Sequence, residues 1–159
     1  MHEQRSRSPA HAVRPGAGVP QDTGGRMSND LVLTRFQDGL AERKLELPRC
    51  TDCGTLIWYP RARCPHCMSE NLAWEQLSGT GTVYSYTVNR RGQGEYAGKD
   101  PFVIAYIELA EGPRVLSHVD IDDPGALRVG TTVRFSGGVA EGEKVRLTFE
   151  PEENGKEKR

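Results

Sequence analysis

Three absences narrow the range of functions this chain can have. No stretch approaches the roughly 20 apolar residues a helix needs to span a bilayer. There is no excess of either charge: 21 Lys and Arg stand against 22 Asp and Glu, giving a formal net charge of −1. A nucleic-acid binder ordinarily carries a clear basic surplus, so this balance argues against that partner without excluding a local patch. Residues 1–26 contain no apolar signal-peptide core, so a reducing, cytoplasmic setting is expected. Catalytic constellations are missing as well. The acidic residues are scattered, with no pair spaced for acid–base work, and nothing assembles a Ser-His-Asp set. His118, between Ser117 and Val119, has no acid or nucleophile tied to it by motif and reads as structural.

Against this background the cysteines stand out. There are four, arranged as Cys50-Thr51-Asp52-Cys53 and Cys64-Pro65-His66-Cys67, two CxxC pairs ten residues apart. Each pair makes a tight knuckle whose sulfurs can face one ion, and two knuckles supply a tetrahedron of thiolates for structural Zn²⁺. Two disulfides would suit a secreted protein, and a redox dithiol would need only one pair. Iron in the same four-sulfur setting, as in rubredoxin, stays open. His66 is able to replace a ligand, but with four thiolates present it is expected to face solvent. A closed Cys₄ site has no open coordination position, and it leaves no thiol for nucleophilic catalysis.

The chain divides into five segments. Residues 1–27, rich in Pro, Gly, Ser and Arg, are expected to be a disordered extension, with Met27 a candidate natural start. Residues 28–46 read as N-terminal helices capped by Ser28, Asn29 or Asp30. Leu33, Phe36 and Leu40 form a stripe there, and Gly39 is expected to split it into two short helices. Phe36 and Leu40 are candidates either for the chain's own core or for a partner interface. Residues 47–76 form the ribbon, with Leu56–Arg61 read as an apolar strand and turn, and Trp58 and Trp74 as lids on a small core. Residues 77–150 read as five short strands: 80–88, 102–109, 114–121, 131–135 and 144–150. Val103, Ala105, Ile107 and Leu109 share one face, as do Val145, Leu147 and Phe149. The predicted fold class is therefore mostly β with N-terminal helices, a rubredoxin-like zinc ribbon followed by a five-stranded OB-fold barrel. Residues 151–159 are a charged tail.

One further motif needs weighing. Gly92-Gln93-Gly94-Glu95-Tyr96-Ala97 loosely matches a dinucleotide fingerprint, but a strand rather than a helix follows, so the pyrophosphate would have no helix N-terminus. The segment is read as a flexible loop, made locally positive by Arg90, Arg91 and Lys99. Arg61 and Arg63 flank the second knuckle and add to that character.

Taken in order, several segments resemble a known family: Phe36–Leu40, Leu45–Cys50, Cys53-Gly54, Pro60-Arg61, the second knuckle, Ser78–Thr87, Pro101–Ala105 and Glu111–Arg114. The sequence is similar to the zinc-ribbon/OB-fold proteins associated with acyl-CoA metabolism, long labelled a domain of unknown function, over about residues 30–150. The resemblance implies a non-catalytic accessory or scaffolding subunit of a thiolase-superfamily enzyme, a thiolase or an aldolase, and in some relatives an enoyl-CoA hydratase. It implies acyl-CoA at the partner's site and, in relatives, steroid side-chain breakdown. In that setting Arg61, Arg63, Arg90 and Arg91 are the candidates to meet CoA phosphates. The alternatives are a single-stranded nucleic-acid module stacking bases on Tyr84, Tyr86 and Phe102, or a stand-alone acyl-CoA enzyme using His118.

Overall fold

The computed structural model describes residues 28–98, 101–141 and 144–152. The expected disordered extension at 1–27, the loop cation Lys99 and most of the charged tail lie outside the described residues.

A single helix, α1 (Asn29–Ala41), opens the described chain. Ser28 caps it: its hydroxyl accepts the Leu31 N–H at 3.3 Å, satisfying one of the donors a helix start leaves open. The expected break at Gly39 does not occur. Gly39 sits one turn before the end, where its carbonyl accepts the Lys44 N–H at 2.7 Å while Leu40 accepts the Arg43 N–H at 3.1 Å. This is a Schellman closure, with Arg43 in the left-handed position at φ 60°. Gly39 belongs to a helix end, and a Cβ there would stand 3.4 Å from the Lys44 oxygen. The buried face also differs from the expected stripe, since Val32 takes the place of Leu33 beside Phe36 and Leu40.

Two antiparallel strands, β1 (Glu46–Cys50) and β2 (Leu72–Gln76), form the ribbon's sheet, with Pro48 opposite Trp74. The segment expected as a strand, Leu56–Arg61, contributes only a bridge from Leu56 to Arg49. The second strand instead follows the second knuckle, in a stretch whose apolar alternation is too short to read.

Five strands close into a barrel: β3 (Thr80–Asn89), β4 (Phe102–Leu109), β5 (Arg114–Val119), β6 (Thr132–Glu141) and β7 (Lys144–Pro151). Their order is β3-β4-β5-β7-β6, with β6 returning to β3 and β5 running parallel to β7. That is the OB arrangement. Val103, Ala105, Ile107 and Leu109 point inward as alternation requires, with Leu147 and Phe149 opposite, and Val145 is only half-buried. β6 runs six residues past the expected end. Ser136-Gly137-Gly138 reads as a break, but Gly137, at φ 117°, sits at an irregularity in the β6–β7 register that bends the strand without ending it. The bend brings Gly138 under α1, so close that a Cβ would stand 2.9 Å from the Leu40 oxygen. Helix, ribbon strands and barrel share one apolar cluster that includes Phe36, Trp74, Ile107 and Phe149.

Candidate metal centre

The two CxxC turns have matching backbones. In the first, Gly54 N–H donates to the Cys50 carbonyl and Cys50 N–H to the Thr55 carbonyl, both at 2.9 Å. In the second, Met68 donates to Cys64 and Cys64 to Ser69 at the same distances. The residue after each second cysteine is left-handed: Gly54 at φ 75° and Met68 at φ 64°. These turns aim four Sγ atoms at one point, all within 4.8 Å of one another. Cys50 lies 3.5 Å from Cys67 and Cys53 lies 3.5 Å from Cys64. A tetrahedral ion with metal–sulfur bonds of about 2.3 Å needs sulfurs about 3.8 Å apart, so the four residues fit such an ion with little movement.

Electrostatics supports the same conclusion. The Thr55 hydroxyl, 3.2 Å from Cys53 Sγ, and the Thr55 backbone N–H hold that thiol down at about 5. The Ser69 N–H acts in the same direction on Cys67, but the neighbouring sulfurs, Cys53 foremost, outweigh it and push Cys67 up to about 12. Four sulfurs this close cannot all ionise on their own, and a divalent cation removes that conflict. Cys50 and Cys64 are buried while Cys53 and Cys67 are exposed. His66 is exposed, and the thiols complete the set without it. Asp52 ties the knuckles together by accepting from Ser69 Oγ at 2.5 Å and Asn71 Nδ2 at 3.0 Å. Those two bonds, the serine's first, hold its carboxyl below the usual carboxylate range.

The other candidate residues have varied fates. Phe36 and Leu40 are 3% and 0% exposed, with Phe36 packed edge-on against Trp58 and Tyr59. Of the two roles left open for this stripe, the described structure shows both residues packed in the chain's own core. Arg61 and Arg63 are exposed beside the second knuckle. Arg61 Nε donates to the Tyr59 carbonyl at 3.2 Å, and Arg63 pairs with Glu70. Arg90 and Arg91 are exposed where β3 ends. The stacking platform of the alternative nucleic-acid reading, Tyr84, Tyr86 and Phe102, is not brought together. Tyr86 turns inward to donate to the Leu127 carbonyl at 2.9 Å, Tyr84 lies under the Arg114 guanidinium at 3.6 Å, and Phe102 is covered by Tyr96. His118 has Tyr96 and Phe102 as ring neighbours. Sequence reasoning missed Tyr96 and Arg146 as neighbours of His118. No motif joins a loop tyrosine to a strand arginine fifty residues later.

A cleft lies between the two modules. Arg49, on β1, grips Glu75 on β2 with two bonds and also donates to the Gly54 carbonyl at 2.7 Å. Glu111, in the β4–β5 turn, accepts the Ser78 N–H at 2.7 Å. Arg49, Trp58, Glu111 and Arg114 line a cleft of about 450 Å³ between ribbon and barrel.

A four-thiol ribbon leading directly into an OB barrel defines the class of zinc-ribbon/OB-fold proteins. Residues 37–73 match the family described as "ChsH2, rubredoxin-like zinc ribbon domain" and residues 74–150 the one described as "ChsH2, C-terminal OB-fold domain". The chain belongs to this ChsH2 family, whose members also carry the label DUF35. It is 34% identical over 149 residues to a probable enoyl-CoA hydratase alpha subunit of Thermomonospora curvata, covering 94% of this chain and 43% of that protein. It is 34% identical over 88 residues to a DUF35 domain-containing scaffold protein of Methanothermobacter thermautotrophicus, covering 55% of this chain and 66% of that one. The chain thus spans less than two thirds of either relative. Among solved structures it resembles a chain of the "Ltp2-ChsH2(DUF35) aldolase", with a TM-score of 0.65 and 31% identity over 74% of this chain and 92% of that chain. No helix among the described residues is long and apolar enough to cross a membrane.

Proposed function

We propose that this chain is a non-catalytic accessory subunit of a thiolase-like acyl-CoA complex, in which a partner thiolase or aldolase performs the chemistry. The observation that carries the reading is the match to nearly the whole of a DUF35 chain from an aldolase assembly. The four-thiol centre supports it, since every cysteine is directed at one point and none is left as an acyl-carrying nucleophile. Zn²⁺ at Cys50, Cys53, Cys64 and Cys67 is structural: it closes the ribbon and presents no open position for substrate or water. The setting is cytoplasmic, where thiols stay reduced. The acyl-CoA is drawn from steroid or fatty-acyl side-chain degradation, a partner hydratase being the variant closest to the Thermomonospora relative.

In this reading the barrel borders the CoA channel, and Arg61, Arg63, Arg90 and Arg91 offer charge-assisted bonds to CoA phosphates. Arg63 must leave Glu70 to do so, an exchange that costs little because exposed ion pairs are weak. The direct test is co-purification from the native host, followed by assay of acyl-CoA turnover with and without this chain. Recovery of a thiolase-like protein whose activity depends on this chain is the expected result. Turnover by the purified chain alone would overturn the non-catalytic assignment.

A further inference from the structure

Alternation along β4 and β5 sends Val103, Ala105, Ser117 and Val119 into the barrel, which leaves Phe102 and His118 on its outer wall. The two rings lie side by side there, centroids 5.9 Å apart and planes 25° from parallel. Tyr96, from a short 3-10 turn (Gly94–Tyr96) between β3 and β4, rests on both. It sits 4.8 Å from Phe102 at 15° and 5.6 Å from His118 at 12°. Its hydroxyl is 3.5 Å from His118 Nε2.

This stack does not serve the barrel interior, which is closed on the opposite side of the same strands. Its members line a cavity of about 270 Å³ on the outer wall, with Ile121 and Val139 beside them and Arg146 of β7 also in the lining. The Arg146 guanidinium comes within 5.9 Å of the Tyr96 ring centroid. Flat apolar faces are thus combined with a fixed cation. The volume is at the small end of ligand pockets.

We propose that Phe102 and His118 form a stacking platform for a planar ring carrying a negative charge, and that Tyr96 is its removable cover. The incoming ring takes the place of the Tyr96 ring, exchanging one stack for another. The turn has the means to swing. Gly94 and Gly98 flank Tyr96 at φ 61° and 78°, and nothing stands within 4 Å of where a Cβ would be at either. Arg146, which stands over the face of the Tyr96 ring, then meets the anionic group of the incoming ligand from that side. Such a ligand could be a nucleotide base with its phosphates or a ring-bearing carboxylate, and the platform chemistry is common to both. This inference rests on the barrel wall alone and stands apart from the identity of any partner enzyme.

The test is calorimetric or NMR titration of the full zinc-loaded chain with three probes: adenosine 3′,5′-bisphosphate, 2-naphthoate, and cyclohexanecarboxylate as the non-planar control. At least one planar anion is expected to bind about tenfold more tightly than the control, and which one binds identifies the source of the ring. Tyr96→Ala should tighten that binding about threefold, while Phe102→Leu weakens it about tenfold. Circular dichroism checks the fold, and His118→Ala replaces Phe102→Leu if the latter fails to fold. If neither planar anion binds wild type or Tyr96→Ala, or if the control binds as well, the platform is overturned. Weaker binding by Tyr96→Ala would make that ring a wall of the site and overturn the cover.

Discussion

The ribbon's own core consists of Cys50, Ile57, Cys64 and Leu72, and two of those four belong to the four-thiol cluster. The barrel and helix share a continuous cluster from Val32 to Phe149, in which Ile107, Val115 and Val133 are wholly buried and to which the ribbon adds only Leu47, Ala62 and Trp74. A segment this small cannot remove enough apolar surface from water to offset its chain entropy, so ion binding takes the place of burial. In the barrel, burial is sufficient and the chain there carries no cysteine. Losing one ligand should therefore abolish the ribbon, whereas losing one core side chain should only weaken the barrel.

The largest expected effect tests that contrast directly. Chelation of the wild type removes a binding energy of about 10–16 kcal/mol, and Cys50→Ser removes a large part of it. Hydrogen exchange should then show the Gly54 and Met68 amides losing protection while the Val103 and Ile107 amides keep theirs. Equal loss in both modules would show that they fold as one unit and break the comparison. Metal analysis comes first: fewer than about one ion per chain in chelator-free protein would undo the ribbon assignment itself.

Phe149→Ala is the converse. This ring is fully buried and meets Phe135 edge-on at 5.9 Å, so truncation should cost about 3–5 kcal/mol in urea unfolding. Zinc content should stay at one ion per chain. Smaller again is Gly138→Ala, where the helix crosses the barrel. The new methyl would fall 2.1 Å from Val145 Cγ1 and 2.9 Å from the Leu40 oxygen. Val145 can turn away but the helix carbonyl cannot, so a loss of about 1–3 kcal/mol is expected, read as a lower urea midpoint. No loss would show that α1 is free to lift from the barrel.

The two regions were not equally legible in the sequence. The convergence of the four cysteines could be read from spacing alone, because CxxC geometry is local: each knuckle is closed by bonds within six residues. The inward face of β4 could be read as well, since alternation is a local pattern. The strand β2 and the tail of β6 could not. β2 owes its existence to the pairing of Pro48 with Trp74 across the knuckles, and β6 to a bend over which a distant helix packs. Phe36 posed a different difficulty. An apolar helix stripe does not say whether it meets its own chain or another, and only the closed contacts with Trp58 and Tyr59 decide it. The Tyr96 cover was hidden for a related reason, since its partners lie on strands β4 and β5.

The smallest expected effect sharpens the comparison within the ribbon. The knuckles share their hydrogen bonds, yet the left-handed position holds Gly54 in one and Met68 in the other. A side chain in that conformation costs roughly 1–2 kcal/mol, and Met68 is 63% exposed, so its side chain recovers little by packing. Arg43 is also left-handed, but its side chain lies over Gly137 in the space a Cβ there would take, and replacing it would forfeit that packing. Met68→Gly relieves the strain in the metal-bound state and gives back part of the gain through a more flexible unfolded chain. The net should be about 0.5–1 kcal/mol in favour of the closed ribbon, or roughly two- to fivefold tighter zinc in a chelator competition. The barrel's urea midpoint should not move. Weaker zinc in Met68→Gly would mean that the methionine does something its exposed position does not show, and that the two knuckles are alike only in their backbones.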